Sequence, residues 1–145
     1  MHIVVAASDE QWNELTISRA GINWQRVDDA ADFKQYKKAD AYFSLKNNDI
    51  PVEFKSLEKP VFINSVVQTL SDLATAENFY RINGWATFLN RPVWEIAGNV
   101  EENIKSLFKS LNIKINIVKD EPGFITARII AMIINEAYFT VEDHV

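Results

Sequence analysis

His2-Ile3-Val4-Val5-Ala6-Ala7 is an almost unbroken apolar run, and Ser8-Asp9-Glu10-Gln11 follows it directly. A strand buried on both faces of a sheet reads as such a run rather than as an alternation. Ser8 with Gln11 three residues later is a capping-box pattern, so a helix is predicted from about Asp9. Trp12 and Leu15 fall on one face of that helix, and Gly21 is its expected stop. A buried strand that passes straight into a capped helix is the opening of an α/β domain.

The rest of the chain repeats the theme. Residues 23–28 read as a short strand, and Asp29 can cap a short helix with Phe33 and Tyr36 on its inner face. Residues 39–45 read as a strand, followed by a loop at Lys46-Asn47-Asn48-Asp49. Pro60 precedes the compact strand Val61-Phe62-Ile63. Ser65 and Gln68 form a second capping-box pattern, predicting a helix with Val66, Val67, Leu70 and Leu73 as its apolar stripe. Residues 79–85 and 92–97 read as two further strands. Asn99 is the expected cap of a helix carrying Val100, Ile104, Leu107, Phe108 and Leu111 at helical spacing. Glu101 and Glu102 stand in its first turn, where the helix dipole favours acids. Residues 114–119 alternate as a half-buried strand does, and Pro122-Gly123 opens a last helix, 124–142. Strands alternating with capped helices predict a mostly parallel sheet flanked by helices.

Composition bounds the chemistry. A chain of 145 residues with 48% hydrophobic residues can build one real core. It contains no cysteine, which removes disulfides, thiolate metal sites and cysteine nucleophiles together. Its two histidines are His2 and His144, one near each end, so neither a histidine triad nor a multi-histidine metal site is expected. The net charge of −5 argues against a nucleic-acid partner, because phosphate recognition wants a basic face. Four glycines stand where roughly ten would be usual, leaving few places for backbone to approach a phosphate. No basic-then-apolar leader pattern opens the sequence. The most apolar stretch, 124–139, is interrupted by Thr126, Arg128, Asn135 and Glu136, so no membrane span is expected and a cytoplasmic protein is the simplest expectation.

Three segments carry a resemblance. Asp120-Glu121-Pro122-Gly123-Phe124-Ile125-Thr126-Ala127-Arg128, running on to Asn135-Glu136-Ala137, resembles the junction D-x-P-G-F-[IV]-x-N-R…N-E-A of the 3-hydroxyacyl-CoA dehydrogenase family. Arg81-Ile82-Asn83-Gly84, then Asn90-Arg91-Pro92-Val93-Trp94-Glu95-Ile96, is similar to that family's stretch between its catalytic histidine and glutamate. Asn64-Ser65 resembles its N-T-S-S turn. The resemblance implies a Rossmann-like domain over 1–119 and the first helix of an all-helical domain over 120–145.

It also implies a damaged site. The family's G-x-G-x-x-G positions fall on Ala7, Asp9 and Trp12, where glycines would let helix-terminal amides meet a pyrophosphate. Asp9 and Glu10 place carboxylates where phosphate charge would sit, and like charges repel. Ser8 is expected to cap the helix itself. Asp28 or Asp29 stands where a ribose-binding acid belongs, although a turn or helix cap is the simpler role. The catalytic histidine position is Ala86, the asparagine position is Ala127, and the active-site serine position is Val66, with Ser65 adjacent. Glu95 alone keeps its type. It is the one candidate catalytic residue, read as vestigial, and its simpler role is an ion pair with Arg91 or Arg81. The aromatics Trp85, Phe88 and Trp94 are expected to cluster there, filling the pocket or else forming an acyl or ring site.

The family's long helical insertion after the second strand shrinks to residues 30–38, and its helical domain to one helix. That helix is apolar nearly all round, through Ile129, Ile130, Met132, Ile133, Ile134 and Tyr138. It is expected to protrude and to pair in a homodimer through 124–142, unless the chain is part of a longer product whose further helices cover it. The expectation is a non-catalytic binding or interaction module with no cofactor and no metal, taking a CoA-type ligand or a partner subunit, or acting purely as an assembly subunit. The alternative is an active NAD-dependent dehydrogenase in which Asp28 holds a ribose, Glu95 acts as base and Ser65 assists.

Overall fold

The computed structural model describes residues 1–46 and 56–142. Asn47, Asn48 and Asp49 of the expected loop, His144, and the last three residues of the 120–145 segment lie outside them. Seven strands form one sheet: β1 (His2–Ala6), β2 (Asn23–Val27), β3 (Ala41–Ser44), β4 (Val61–Asn64), β5 (Phe79–Ile82), β6 (Val93–Ala97) and β7 (Lys114–Ile117). Their spatial order is β2-β1-β3-β4-β5-β6-β7. Neighbours run parallel except β5 and β6, which pair antiparallel and are joined by the helix-free segment 83–92 rather than by a crossover helix. This is the mostly parallel, Rossmann-like α/β sheet expected from the opening strand.

The strand alternation sorts the core into two layers. Ile3, Val5, Phe43, Phe62, Ile82 and Ile96 face one side, where Leu15, Ile104 and Phe108 cover them. Those covers come from helices α1 (Asp9–Thr16) and α2 (Glu102–Ser110). Val4, Ala6, Tyr42, Val61, Ile63 and Phe79 face the other side, covered by Phe33 and Leu57. Phe33 belongs to a short 3₁₀ helix, Ala30–Gln35, whose first turn is capped by Asp29 accepting from Ala31 N at 2.8 Å. Helix α3 (Ile125–Glu142) leaves the sheet after β7.

Four local expectations are corrected. No helix forms after β4: Ser65 Oγ donates to Gln68 O instead of accepting from its N–H. The reciprocal capping pair lies four residues later, where Thr69 N donates to Asp72 Oδ2 and Asp72 N to Thr69 Oγ1. That backbone bond from Thr69, then the side-chain one, holds the Asp72 carboxyl below its usual range. The turn stops at once because Ala74 has φ +47°. Asn99 does not cap α2; Glu101 occupies the N-cap position and Asn99 Nδ2 donates to its side chain at 3.2 Å. Helix α1 ends at Thr16, before Gly21, because Arg19 Nη1 donates to the terminal carbonyls of Glu14 and Leu15. The strand expected over 79–85 ends at Ile82, where Asn83 and Gly84 turn toward Asn64 and Gln11.

Among the described residues no helix is long and apolar enough to cross a membrane.

Candidate functional site

In an open α/β sheet a ligand binds beyond the carboxyl ends of the strands, where the strand order reverses. Here that place lies between β1 and β3. The chain's own side chains meet across it. Gln11, only 7% exposed, sends its Nε2 to Leu45 O at 2.9 Å and to Gly84 O at 2.7 Å. Asn64 Nδ2 donates to the same Leu45 O at 3.0 Å, and Asn64 Oδ1 accepts from Gly84 N at 3.0 Å. One amide from the first turn of α1 thus bridges the ends of β3 and β5. Gly84 is needed for this closure, since a Cβ there would lie 3.0 Å from Asn64 Cβ and from Leu45 Cδ2.

The turn after β1 is closed as well. Ser8 Oγ accepts from Gln11 N at 3.2 Å and Gln11 Oε1 accepts from Ser8 N at 3.0 Å, the full capping box read from the sequence. Arg26 reaches over from β2 and donates to Ala7 O at 2.9 Å. The same guanidinium meets Asp9 at 2.7 Å and stands 5.8 Å from the centre of the Trp12 ring. Trp12 is half-buried and packs on the main core. Asp29 is the cap of the 3₁₀ helix, and Asp28 lines an open hollow of about 270 Å³ with Arg26, Asp32 and Tyr36.

Glu95 is not the partner of either expected arginine. Its two carboxylate oxygens both accept from Thr126 N at 3.2 Å, so it caps the first turn of α3. Arg91 lies over the Phe88 ring, 4.0 Å from its centre. Arg81 is fully buried and bonds Asp120 Oδ1 at 2.5 Å, with further bonds to Ser65 O, Val66 O and Glu121 O. The hollow beside Glu95, lined also by Asn83, Phe88 and Thr126, holds about 20 Å³, which suits one water and no substrate. Asn83 Nδ2 is the one buried side-chain donor without a partner among the described residues.

The three aromatics do not form one cluster. Trp85 meets Phe88 edge-on at 5.9 Å near the surface, whereas Trp94 turns into the core against Phe108 at 5.9 Å. Ser65 is buried and committed to Gln68 O. Ala86 sits in the turn that follows Trp85. Glu14 accepts from Thr87 N and Leu89 N, tying that turn to α1. Arg19, pressed on Trp94 and bonded to Leu89 O, has its guanidinium pKa lowered by burial. Sequence reasoning missed Gln11 and Asn64 as bridging groups. Their signal was weak: a polar residue at the third position of a helix and another at a strand end are common caps. Among the described residues no group of acids and histidines could hold a metal ion.

The strand order, the crossover at β1 and the helix after the first strand define a Rossmann-like α/β domain. More narrowly, the fold is that of 3-hydroxyacyl-CoA dehydrogenase-type structures. The (S)-3-hydroxybutyryl-CoA dehydrogenase of Ralstonia eutropha superposes with a TM-score of 0.71 at 13% identity, over 99% of this chain and 71% of that one. A 3-hydroxyacyl-CoA dehydrogenase of Archaeoglobus fulgidus gives 0.67 at 13%, over 100% of this chain and 65% of that one. A 5-formyl-3-hydroxy-2-methylpyridine 4-carboxylic acid 5-dehydrogenase, an NAD+-dependent dismutase, gives 0.72 at 13%, over 98% of this chain and 65% of that one. The chain therefore spans just under two thirds of the length of the latter two. No protein-family model matches the sequence, and no curated protein matches it.

Proposed function

We propose that this chain is a non-catalytic binding or interaction module built on a dehydrogenase fold. The observation that carries the reading is the Gln11 amide, which joins Leu45 O to Gly84 O across the crevice where a dinucleotide would lie. NAD does not fit these residues. The amides at the start of α1 are turned to Ser8, Ala7 O is held by Arg26, and Asp9 and Glu10 stand where phosphate charge would go. To enter, a pyrophosphate would have to break these bonds and leave buried groups unpaired. Glu95 acts as a helix cap, in a hollow too small for a substrate.

The nearest test is a thermal-shift titration with NAD, NADH, CoA and acetoacetyl-CoA, beside an assay of NADH-dependent acetoacetyl-CoA reduction. Binding to the folded form raises the melting temperature once ligand exceeds its Kd. The expected result is no reduction and no shift with NAD or NADH. A shift with CoA alone would identify the module's ligand as a CoA-type molecule. A shift with NADH, or turnover, would overturn the reading.

One observation favours a second reading, an oxidoreductase with an altered site. The hollow beside Asp28 is open and large enough for a ribose, at the end of β2. Under that reading NADH binds and the Asp28→Ala substitution abolishes the binding. An unchanged Kd in that variant would sink it.

A further inference from the structure

Asn83-Gly84 is the one Asn-Gly pair in the chain. Such a pair can modify itself. The asparagine side chain carries an electrophilic carbonyl carbon, and the glycine nitrogen that follows has no Cβ beside it to hinder its approach. Here both partners are held. Gly84 N donates to Asn64 Oδ1 at 3.0 Å, and Gly84 O accepts from Gln11 Nε2 at 2.7 Å. Asn83 Oδ1 accepts from Trp85 N at 3.2 Å, and the residue is only 8% exposed. Its Nδ2, the group that would leave, is buried and has no hydrogen-bond partner among the described residues.

We propose that Asn83-Gly84 is a latent self-modification site, and that the Gln11 and Asn64 bonds which close the crevice hold it unreacted. When those bonds open, the Gly84 nitrogen gives its proton to solvent and attacks Asn83 Cγ. The new N–Cγ bond closes a cyclic imide. The Cγ–Nδ2 bond breaks, and Nδ2 takes up a proton and leaves as ammonia. Water then adds to either ring carbonyl and opens the ring, leaving an aspartyl or isoaspartyl residue. The sum is amide plus water to acid plus ammonia, with nothing oxidised or reduced. Reaction needs the open form, so its rate follows the population of that form. The product resists closing again. It adds a carboxylate beside the hollow of about 20 Å³ that Asn83 lines with Glu95, and like charges repel. The isoaspartyl form also lengthens the backbone just before Gly84, which is already in tight contact with Asn64 and Leu45. Opening of the crevice thereby becomes a one-way step.

The test incubates the full chain at mildly alkaline pH and follows conversion at Asn83 by peptide-mapping mass spectrometry, with the exposed Asn90 and Asn99 as internal references. In the native chain Asn83 is expected to convert at least about tenfold more slowly than in the urea-unfolded chain, the equivalent of about 1.4 kcal/mol in the opening equilibrium. Gln11→Ala, and separately Asn64→Ala, are each expected to speed conversion about tenfold with circular dichroism unchanged. Phe33→Leu weakens the opposite face of the sheet without touching these bonds, and is expected to leave the rate as it is. The converted chain is expected to melt below the unconverted one. Equal rates in the native and unfolded wild-type chain would overturn the proposal, as would Gln11→Ala and Asn64→Ala variants that convert no faster. Equal acceleration by Phe33→Leu would route the reaction through global unfolding and overturn the role of the two amides. A converted chain as stable as the unconverted one would overturn the one-way step.

Discussion

Two regions of this chain, the carboxyl ends of the central strands and helix α3, are finished to different degrees. At the carboxyl ends of β1 and β3, polar groups are answered from within: Gln11, Asn64 and Arg26 take up the carbonyls of Leu45, Gly84 and Ala7. Along α3 the opposite holds, for its apolar side chains beyond Ala127 are left to solvent. A buried polar group that already has its bonds gains little from a ligand, while uncovered apolar area gains from any surface that removes it from water. The crevice is thus closed by the chain's own polar groups, whereas α3 leaves apolar area uncovered.

Arg81 joins the two regions, and breaking it has the largest expected effect. Its buried guanidinium holds the loop after β4 to Asp120 and stands 4.8 Å from the centre of the Phe124 ring, at the root of α3. Arg81→Ala strands Asp120 and the carbonyls of Ser65, Val66 and Glu121, and is expected to cost about 3–5 kcal/mol in chemical denaturation. A loss under 1 kcal/mol would mean that α3 is anchored by something else. Gln11→Ala opens the crevice without touching α3. Two buried carbonyls lose a donor, an expected cost of about 1–3 kcal/mol, and NADH binding is still not gained because Asp9, Glu10 and Trp12 remain. Recovery of NADH binding in that variant would show that the amide alone had closed the site.

Glu95→Gln sharpens the contrast from the other side. The amide oxygen can still accept from Thr126 N, so only the charge at the start of α3 is lost, about 0.3–1 kcal/mol. A purely capping role gives no larger effect; loss of a measured activity in the variant would assign Glu95 a catalytic role instead. The smallest effect is at the turn after β4. The Asp72 carboxyl, held low by Thr69, supports that turn at neutral pH and loses its hold as pH falls through its depressed pKa, below the ordinary value of about 3.9. An NMR titration is expected to show Asp72 protonating later than an unperturbed aspartate as the pH falls, with the Thr69 amide following it. An ordinary titration would remove the capping pair from the account.

The first strand, the Ser8 capping box, the Asp29 cap and the exposed apolar helix were legible from residues alone, because each depends on a local pattern. Other features depended on distant partners. Ser65 and Gln68 carry the spacing of a capping box, yet Asp120 draws the Leu70 amide at 2.8 Å and Ala74 ends the turn at positive φ. Arg81 looked like a free partner for Glu95 until the β4 loop and Asp120 enclosed it. Glu95 itself looked catalytic in type, and only its position against Thr126 N reveals a cap. Gln11 was legible as half of a capping box but not as a bridge, since Gly84 lies 73 residues away in sequence.

The most direct test of the closed crevice is a calorimetric titration of NADH into the wild-type chain. The account predicts no saturable heat up to millimolar ligand. A saturable isotherm with a micromolar Kd would contradict it, because a dinucleotide would then be displacing the Gln11 bridge that closes the site.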